Sequence, residues 1–227
     1  MAFRIYLIRH GESMQNTEEN YVIKLPDHKV YLTDKGKTQA DAAGKFLHGY
    51  LVSNNIQTEN ARMWTSPYHR TRQTAQIINS HLSIKDTKED VTLIEQQYGL
   101  FSDNPMEERK KLYPSEFDYH KKYFETEGKF YAKMPLGESP LDVTMRIRHF
   151  LPTIFRDYEK GKKDTIFIIT HGVVIKAFLL DWFHLSPEWF SAEGTPDNCS
   201  IIEITREENG KSSYRYIYGS MREKGYN

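Results

Sequence analysis

The chain has 227 residues, with 31 lysines and arginines against 31 aspartates and glutamates, so its net charge is zero and no global field draws it to a nucleic-acid backbone or an anionic membrane. That length supports one sizeable core, no linker or low-complexity tract divides it, and one domain spanning residues 1–227 is expected. The single Cys199 excludes an internal disulfide, and neither a leader pattern nor a run of ~18 apolar residues is present, so a soluble cytoplasmic protein is expected, of unreadable oligomeric state.

Residues Phe3 to Ile8 form a short apolar run bounded by polar residues, which predicts a buried strand. Arg9, His10 and Gly11 then stand at its carboxyl end, the edge beyond which open α/β sheets bind ligands. Gly11 to Val30 is polar and irregular, long enough to predict a loop that lines the site. Thr33 caps a helix carrying Gln39, Ala43, Phe46, Leu47 and Tyr50 at helical spacing. Arg62 to Thr65 predicts a second strand, and Ser66-Pro67 predicts the N-cap and first residue of the next helix. That helix places Arg70, Thr74, Ile77 and Ile78 on one side. Asp90 to Ile94 predicts a third strand, with Glu95 at its end.

Asn104-Pro105-Met106-Glu107 marks a helix start and Pro114 opens another segment, so residues 100–136 are expected to form an inserted helical cap. Ser139-Pro140-Leu141-Asp142 begins a longer helix through Met145, Ile147, Phe150 and Phe155, with a kink expected near Pro152 and closure at Gly161. Thr165 to Thr170 is an unbroken β-branched and aromatic run ending in His171-Gly172, a second strand-to-His-Gly junction, followed by a helix from Val173 to Phe183. Residues 200–205 and 213–218 predict late strands, one at the sheet edge. The alternation implies an α/β fold of three layers, α/β/α, with a mainly parallel central sheet and a helical cap insertion.

Taken together, Arg9-His10-Gly11-Glu12-Ser13 with Asn16, Ser66-Pro67 with Arg70, Gln73, Thr74 and Ala75, Glu95 with Tyr98-Gly99, and Ile169-Thr170-His171-Gly172 resemble the motifs of the histidine phosphatase superfamily, which includes phosphoglycerate mutases. The match spans residues 5 to 185 in the family's order. Gly128-Lys129-Phe130-Tyr131, with Pro135, Gly137-Glu138-Ser139 and Asp142-Val143, further resembles its small phosphatase branch.

The resemblance implies a phosphatase that acts on a phosphorylated small molecule through a phosphohistidine on His10. Attack needs a neutral imidazole. Arg9, Arg70 and a protonated His171 would favour that form by like-charge repulsion while attracting the phosphate. Gly172 and Val173 would add backbone N–H donors, and Asn16 either joins them or shapes its loop. Glu95 is the implied proton donor, since a carboxyl group beside a bound dianion holds its proton more tightly. No cofactor and no metal are implied, because Arg9 and Arg70 would repel a cation. Only Arg70, and not Arg72, keeps the motif spacing. Ser66 and Ser139 read as helix caps, and His69, His120, His149 and His184 have no motif support. Phosphoglycerate mutase-type transfer is the alternative, and a phosphoryl-binding regulatory module the third reading. The substrate itself is not legible.

Overall fold

The computed structural model describes residues 3–17, 25–102 and 106–220. Its strands are Phe3–Arg9 (β1), Arg62–Thr65 (β2), Thr87–Glu89 (β3), Thr165–Thr170 (β4), Ile201–Arg206 (β5) and Ser212–Tyr218 (β6). They form one six-stranded sheet in the order β3-β2-β4-β1-β5-β6. The first four of that order run parallel, and β5 and β6 add an antiparallel pair beyond β1. Among the described residues the α-helices are Asp34–Ser53 (α1), His69–Leu82 (α2), Met106–Leu112 (α3), Pro114–Glu127 (α4), Pro140–Glu159 (α5), Gly172–Phe183 (α6) and Pro187–Ala192 (α7).

The alternation of strand side chains decides which helices cover which face. Ile5 and Leu7 of β1 join Ile166 and Ile168 of β4 in a core with Val143, Ile147 and Phe150 of α5 and Val174 and Phe178 of α6. Tyr6 and Ile8 join Phe167 and Ile169 in the opposite core, against Ala40, Ala43 and Leu47 of α1 and Ala75 and Ile78 of α2. The sheet is thus enclosed between two helical layers, as predicted. No helix among the described residues is long and apolar enough to cross a membrane.

Both predicted caps that open the long helices are present. The Thr33 hydroxyl accepts the Gly36 N–H at 3.0 Å. Ser139 Oγ accepts from Asp142 N, and Asp142 Oδ2 accepts from Ser139 N at 2.8 Å, a reciprocal capping box. α5 runs unbroken through Pro152, which lies on its exposed side, where the carbonyl freed by the missing N–H can be hydrated. It ends at Glu159, and the Gly161 N–H closes it onto the Arg156 carbonyl.

Two expectations are corrected. The third strand is Thr87–Glu89 rather than Asp90 to Ile94, and Val91–Leu93 forms a 3-10 turn. Asp90 Oδ1 takes the Thr92 N–H and hydroxyl at 2.8 and 2.6 Å, so the side chain competes with the sheet ladder for that donor. α2 begins at His69 with Tyr68 as its N-cap, not at Ser66-Pro67, because the Ser66 hydroxyl is engaged elsewhere, as described below. In the 100–136 stretch α3 and α4 carry no buried residue; Phe101 contacts α4 through Phe117 and His120 at ring distances of 6.2 and 5.5 Å, and the Arg109 guanidinium of α3 lies 5.5 Å from its ring centroid. The predicted start at Asn104-Pro105 lies outside the described residues.

The loop after β1 is clamped against α1 by backbone contact at two glycines. A Cβ at Gly36 would stand 1.9 Å from the Glu12 carbonyl oxygen, and one at Gly11 2.4 Å from the Gly36 carbonyl oxygen. Since both obstacles are backbone, Gly36→Ala should lower stability by about 1 to 3 kcal/mol. Urea unfolding reads this as a lower midpoint, and an unchanged midpoint would show that the loop and helix separate freely.

Candidate active site

The site grows from the paired ends of β1 and β4. Arg9 lies opposite Thr170 in the parallel register, and the His10 N–H extends the pairing to the Thr170 carbonyl at 2.9 Å. The next residues, His10 and His171, are therefore delivered side by side, with ring centroids 5.1 Å apart. Beyond them the first loop is fixed from three sides. Gly11 N donates to Thr74 Oγ1 at 3.1 Å, Glu12 N to Gln39 Oε1 at 2.8 Å, and the Glu12 carboxylate accepts from Thr33 Oγ1 and Lys35 Nζ at 2.9 and 2.7 Å.

His10 is buried, and its Nδ1 lies 2.7 Å from the Gly11 carbonyl oxygen. A carbonyl only accepts, so in the neutral ring the hydrogen bond to Gly11 assigns the proton to Nδ1 and the lone pair to Nε2. That is the arrangement a nucleophilic imidazole needs.

Arg9 and Arg70 flank this position, each almost fully buried. Arg9 Nη1 donates to the Pro196 carbonyl at 2.6 Å. Arg70 Nη1 donates to the carboxylate and carbonyl of Asp27 at 2.7 and 2.8 Å, and its guanidinium lies 4.9 Å over the Tyr68 ring. Arg72, two residues along α2, forks onto Glu89 at the surface instead.

His171 departs from expectation in its charge. Burial holds its proton affinity well below the ordinary imidazole value, and Arg70, His10 and Arg9 push it further the same way. It is neutral near pH 7, not the cation expected from the sequence. Glu95 moves in the opposite sense. Burial raises its pKa above the usual carboxylate range, against the Gln96 N–H and the nearby arginines, which lower it. A carboxyl group of this kind keeps a proton to higher pH.

The remaining predicted residues fall around the same space. Asn16 Oδ1 accepts from Ser13 N and Oγ at 3.1 Å, so the loop takes its oxygen and any ligand contact belongs to Nδ2. Gly172 opens α6, where a Cβ would lie 2.4 Å from Thr195 Cγ2 and 3.6 Å from Arg9 Nε; the missing side chain lets Arg9 and Thr195 approach the helix start. Arg9, His10, Asn16, Arg70, Glu95 and Val173 share the lining of one cavity of about 480 Å³. His120 binds the Lys133 carbonyl, His69 packs on the Tyr31 ring, His184 closes α6 and His149 is exposed; none lines the cavity. Among the described residues no cluster of His, Cys, Asp and Glu could hold a metal ion.

Sequence reasoning missed part of the lining. Lys176, Glu193 and Thr195 complete the wall with Lys129 and Tyr98. Lys176 is buried in α6, where Nζ donates to the Glu193 carbonyl at 2.7 Å and lies 4.3 Å from the Phe190 ring centroid. A lysine inside the otherwise apolar run from Val173 to Leu180 was the available signal. Asp27 gave none, and Ser66, although part of a motif, read as a helix cap, because their partners are fixed only by tertiary contact.

The family model for the Histidine phosphatase superfamily (branch 1) matches residues 5–217. Phosphoglycerate mutase-like protein AT74 of Arabidopsis thaliana is 34% identical over 221 residues, 92% of this chain and 67% of that protein. Broad-range acid phosphatase DET1 of Saccharomyces cerevisiae is 24% identical, over 94% of this chain and 87% of its own length. A mycobacterial glucosyl-3-phosphoglycerate phosphatase, solved with inorganic phosphate, has the same fold, with a TM-score of 0.70 at 17% identity over 96% of this chain and 98% of that one.

The two arginines of α2 make opposite predictions for anion binding. Replacing Arg70 by Ala should weaken vanadate binding by about two orders of magnitude, the scale of losing one charged donor at such a site. Arg72→Ala, at the surface, should change it less than about twofold. Inhibition titrations compare them, and equal effects would place the anion on the other side of the helix.

Proposed function

The chain belongs to branch 1 of the histidine phosphatase superfamily, and from that premise we propose that it hydrolyses phosphate monoesters of a small polar molecule through a phosphohistidine on His10. The observation that carries this reading is the Nδ1–H to Gly11 bond, which leaves the His10 lone pair on Nε2 in a cavity lined by Arg9 and Arg70. In the first step Nε2 attacks phosphorus, the bond to the ester oxygen breaks, and the leaving alkoxide takes the proton of Glu95. In the second, water attacks the phosphohistidine, the P–N bond breaks, and the Glu95 carboxylate takes the proton of that water. His10 returns to its starting tautomer, and Glu95 is protonated again. The arginines neutralise the phosphoryl oxygens throughout.

The character of the leaving group follows from the rest of the wall. Gln15, Tyr98, Lys129, Lys176, Glu193 and Thr195 offer hydrogen bonds and charge, with Val173 as the aliphatic contact. This favours a hydroxylated or anionic small molecule over a lipid or a nucleic acid. The cytoplasm, where a lone buried thiol stays reduced, is the proposed compartment. Phosphoglycerate mutase-type transfer is the second reading, favoured by the name of the Arabidopsis relative. Product analysis separates the two, since a mutase returns an isomerised phosphate ester and a phosphatase releases inorganic phosphate.

His10→Ala should abolish turnover of alkyl and aryl phosphates alike, because attack is needed whatever leaves. Glu95→Gln should cost alkyl phosphates about 10² to 10⁴-fold, the usual contribution of a general acid, and aryl phosphates much less. For alkyl phosphates the wild-type rate should fall as pH rises and Glu95 ionises, and that alkaline limb should be absent in Glu95→Gln. Acid-labile phosphohistidine should still be trapped in quenched reactions of Glu95→Gln. Retention of activity within a few fold in His10→Ala would reject the nucleophile.

Chelators should leave the rate unchanged, since Arg9 and Arg70 supply the positive charge. Loss of activity on chelation, restored by one added divalent metal, would reject the arginine-only account.

A further inference from the structure

We propose that Ser66 is a positioning residue that fixes the tautomer of His171, so that its Nδ1–H is offered to a phosphoryl oxygen on His10. The inference rests on the phosphohistidine reading above, and it starts from a hydroxyl that does not cap its helix. Ser66 directly follows β2, and its main chain is held on both sides. Its N–H donates to the Ile169 carbonyl at 3.1 Å, and its carbonyl accepts from Thr71 Oγ1 at 2.9 Å. The hydroxyl lies 2.9 Å from His171 Nε2 and 3.4 Å from the Tyr68 N–H. Ser66 and His171 are both 0% exposed.

Counting donors and acceptors selects the direction of the bond. The Tyr68 N–H can only donate, so the hydroxyl oxygen accepts there. Among the described residues the hydroxyl proton has one acceptor within reach, the lone pair of His171 Nε2. Donation from Ser66 to Nε2 places the imidazole proton on Nδ1. The reverse direction would leave the Ser66 proton without an acceptor and the Nδ1 lone pair without a donor, both in a dry interior, where such groups are rarely left unmatched. In the favoured arrangement a single group is left over. His171 Nδ1 is buried and has no protein partner in the structure.

That leftover group has a use in phosphoryl transfer. The His171 ring stands 5.1 Å from the ring of the nucleophile, close enough for an oxygen of a phosphoryl group on Nε2 of His10 to accept from it. Presented as N–H, His171 attracts the anionic oxygen. Presented as a lone pair, the same ring would repel it. Because the ring is neutral, its tautomer decides whether it helps or opposes the transfer, and the tautomer is set by a residue that never touches the substrate. Neither Ser66 nor His171 is among the residues that line the cavity; His171 lies behind His10, and Ser66 behind His171.

The test is a long-range proton–nitrogen correlation spectrum of the full chain with nitrogen-15 histidine, recorded with and without inorganic phosphate. The expected result is a protonated Nδ1 on His171 in the wild type, with a signal that shifts on phosphate addition. Ser66→Ala should move the population toward protonated Nε2 and weaken phosphate binding by about tenfold, the scale of a hydrogen bond to a charged group. Ser66→Thr keeps the hydroxyl and should restore both. A wild-type spectrum with Nε2 protonated overturns the proposal, as does an unchanged Nδ1–H signal in Ser66→Ala. The wild-type spectrum decides the matter even if the variants fold poorly. Trapped phosphohistidine together with an Nε2–H tautomer would reject the role of Ser66 and leave the function standing. A phosphate-sensitive Nδ1–H in a protein that traps no phosphohistidine would support Ser66 and reject the function.

Discussion

The parallel pairing of β1 with β4 is the constraint on which the rest of this site depends. Ile5 pairs with Ile166, Ile8 with Ile169 and Arg9 with Thr170, and both strands are buried on both faces. Each fully buried aliphatic side chain contributes about 1.5 to 3 kcal/mol through removal from water. A slip of β1 by one residue would exchange its side chains between the two cores and force Tyr6 into a position shaped for Leu7. It would also separate the two histidines by the rise of one residue, roughly 3.3 Å. Core packing therefore sets the distance between His10 and His171.

Concentrating cations at this edge carries a cost that the structure manages locally. Arg9 and Arg70 are buried, and each is anchored by acceptors, the Pro196 carbonyl for Arg9 and Asp27 for Arg70. A planar fork held in this way keeps its orientation with no ligand bound. A third full charge on His171 would raise the cost again, and the same arginines that attract phosphate keep that imidazole neutral. The expectation of a protonated His171 treated the cluster as a sum of charges in water. In the folded chain, desolvation is the first cause of the shift, and it acts against protonation.

What was legible in the chain is what local sequence can specify. The apolar runs ending in His10 and His171, the Thr33 cap and the Ser139-Asp142 capping box depend on neighbours within a few residues, and they occur where the pattern placed them. The third strand failed because Asp90 offers its carboxylate to Thr92, a local competition that β-propensity does not weigh. Ser66 looked like a cap because Ser-Pro is a good helix opening. The partner that outweighs this use, His171, is 105 residues away in sequence. Asp27 and Lys176 were silent for the same reason, since their contacts with Arg70 and with the Glu193 carbonyl are made by the fold.

The cavity wall also divides by structural origin, and that division bears on selectivity. Arg9 and His10 belong to the end of a central strand, with His171 buried behind them, and Arg70 to the start of a helix packed on the sheet, so their positions are tied to the core. Lys129 follows α4 in the stretch between the β3 edge and α5, whose two helices carry no buried residue. Glu193 and Thr195 lie in the connection from α7 to β5. Substitution of the lining side chains themselves alters the surface that meets the leaving group, although buried Phe130 adjoins Lys129 and buried Pro196 adjoins Thr195. Lys176 joins the two sets. It is rooted in α6 directly after the His171-Gly172 junction, and its ammonium is held by the carbonyl of Glu193. The Glu193 to Pro196 connection also meets the phosphoryl side directly, since Thr195 packs at the Gly172 helix start and the Pro196 carbonyl holds Arg9. Variation at Lys129 therefore leaves the phosphoryl side in place, whereas variation from Glu193 to Pro196 reaches Arg9 and the start of α6.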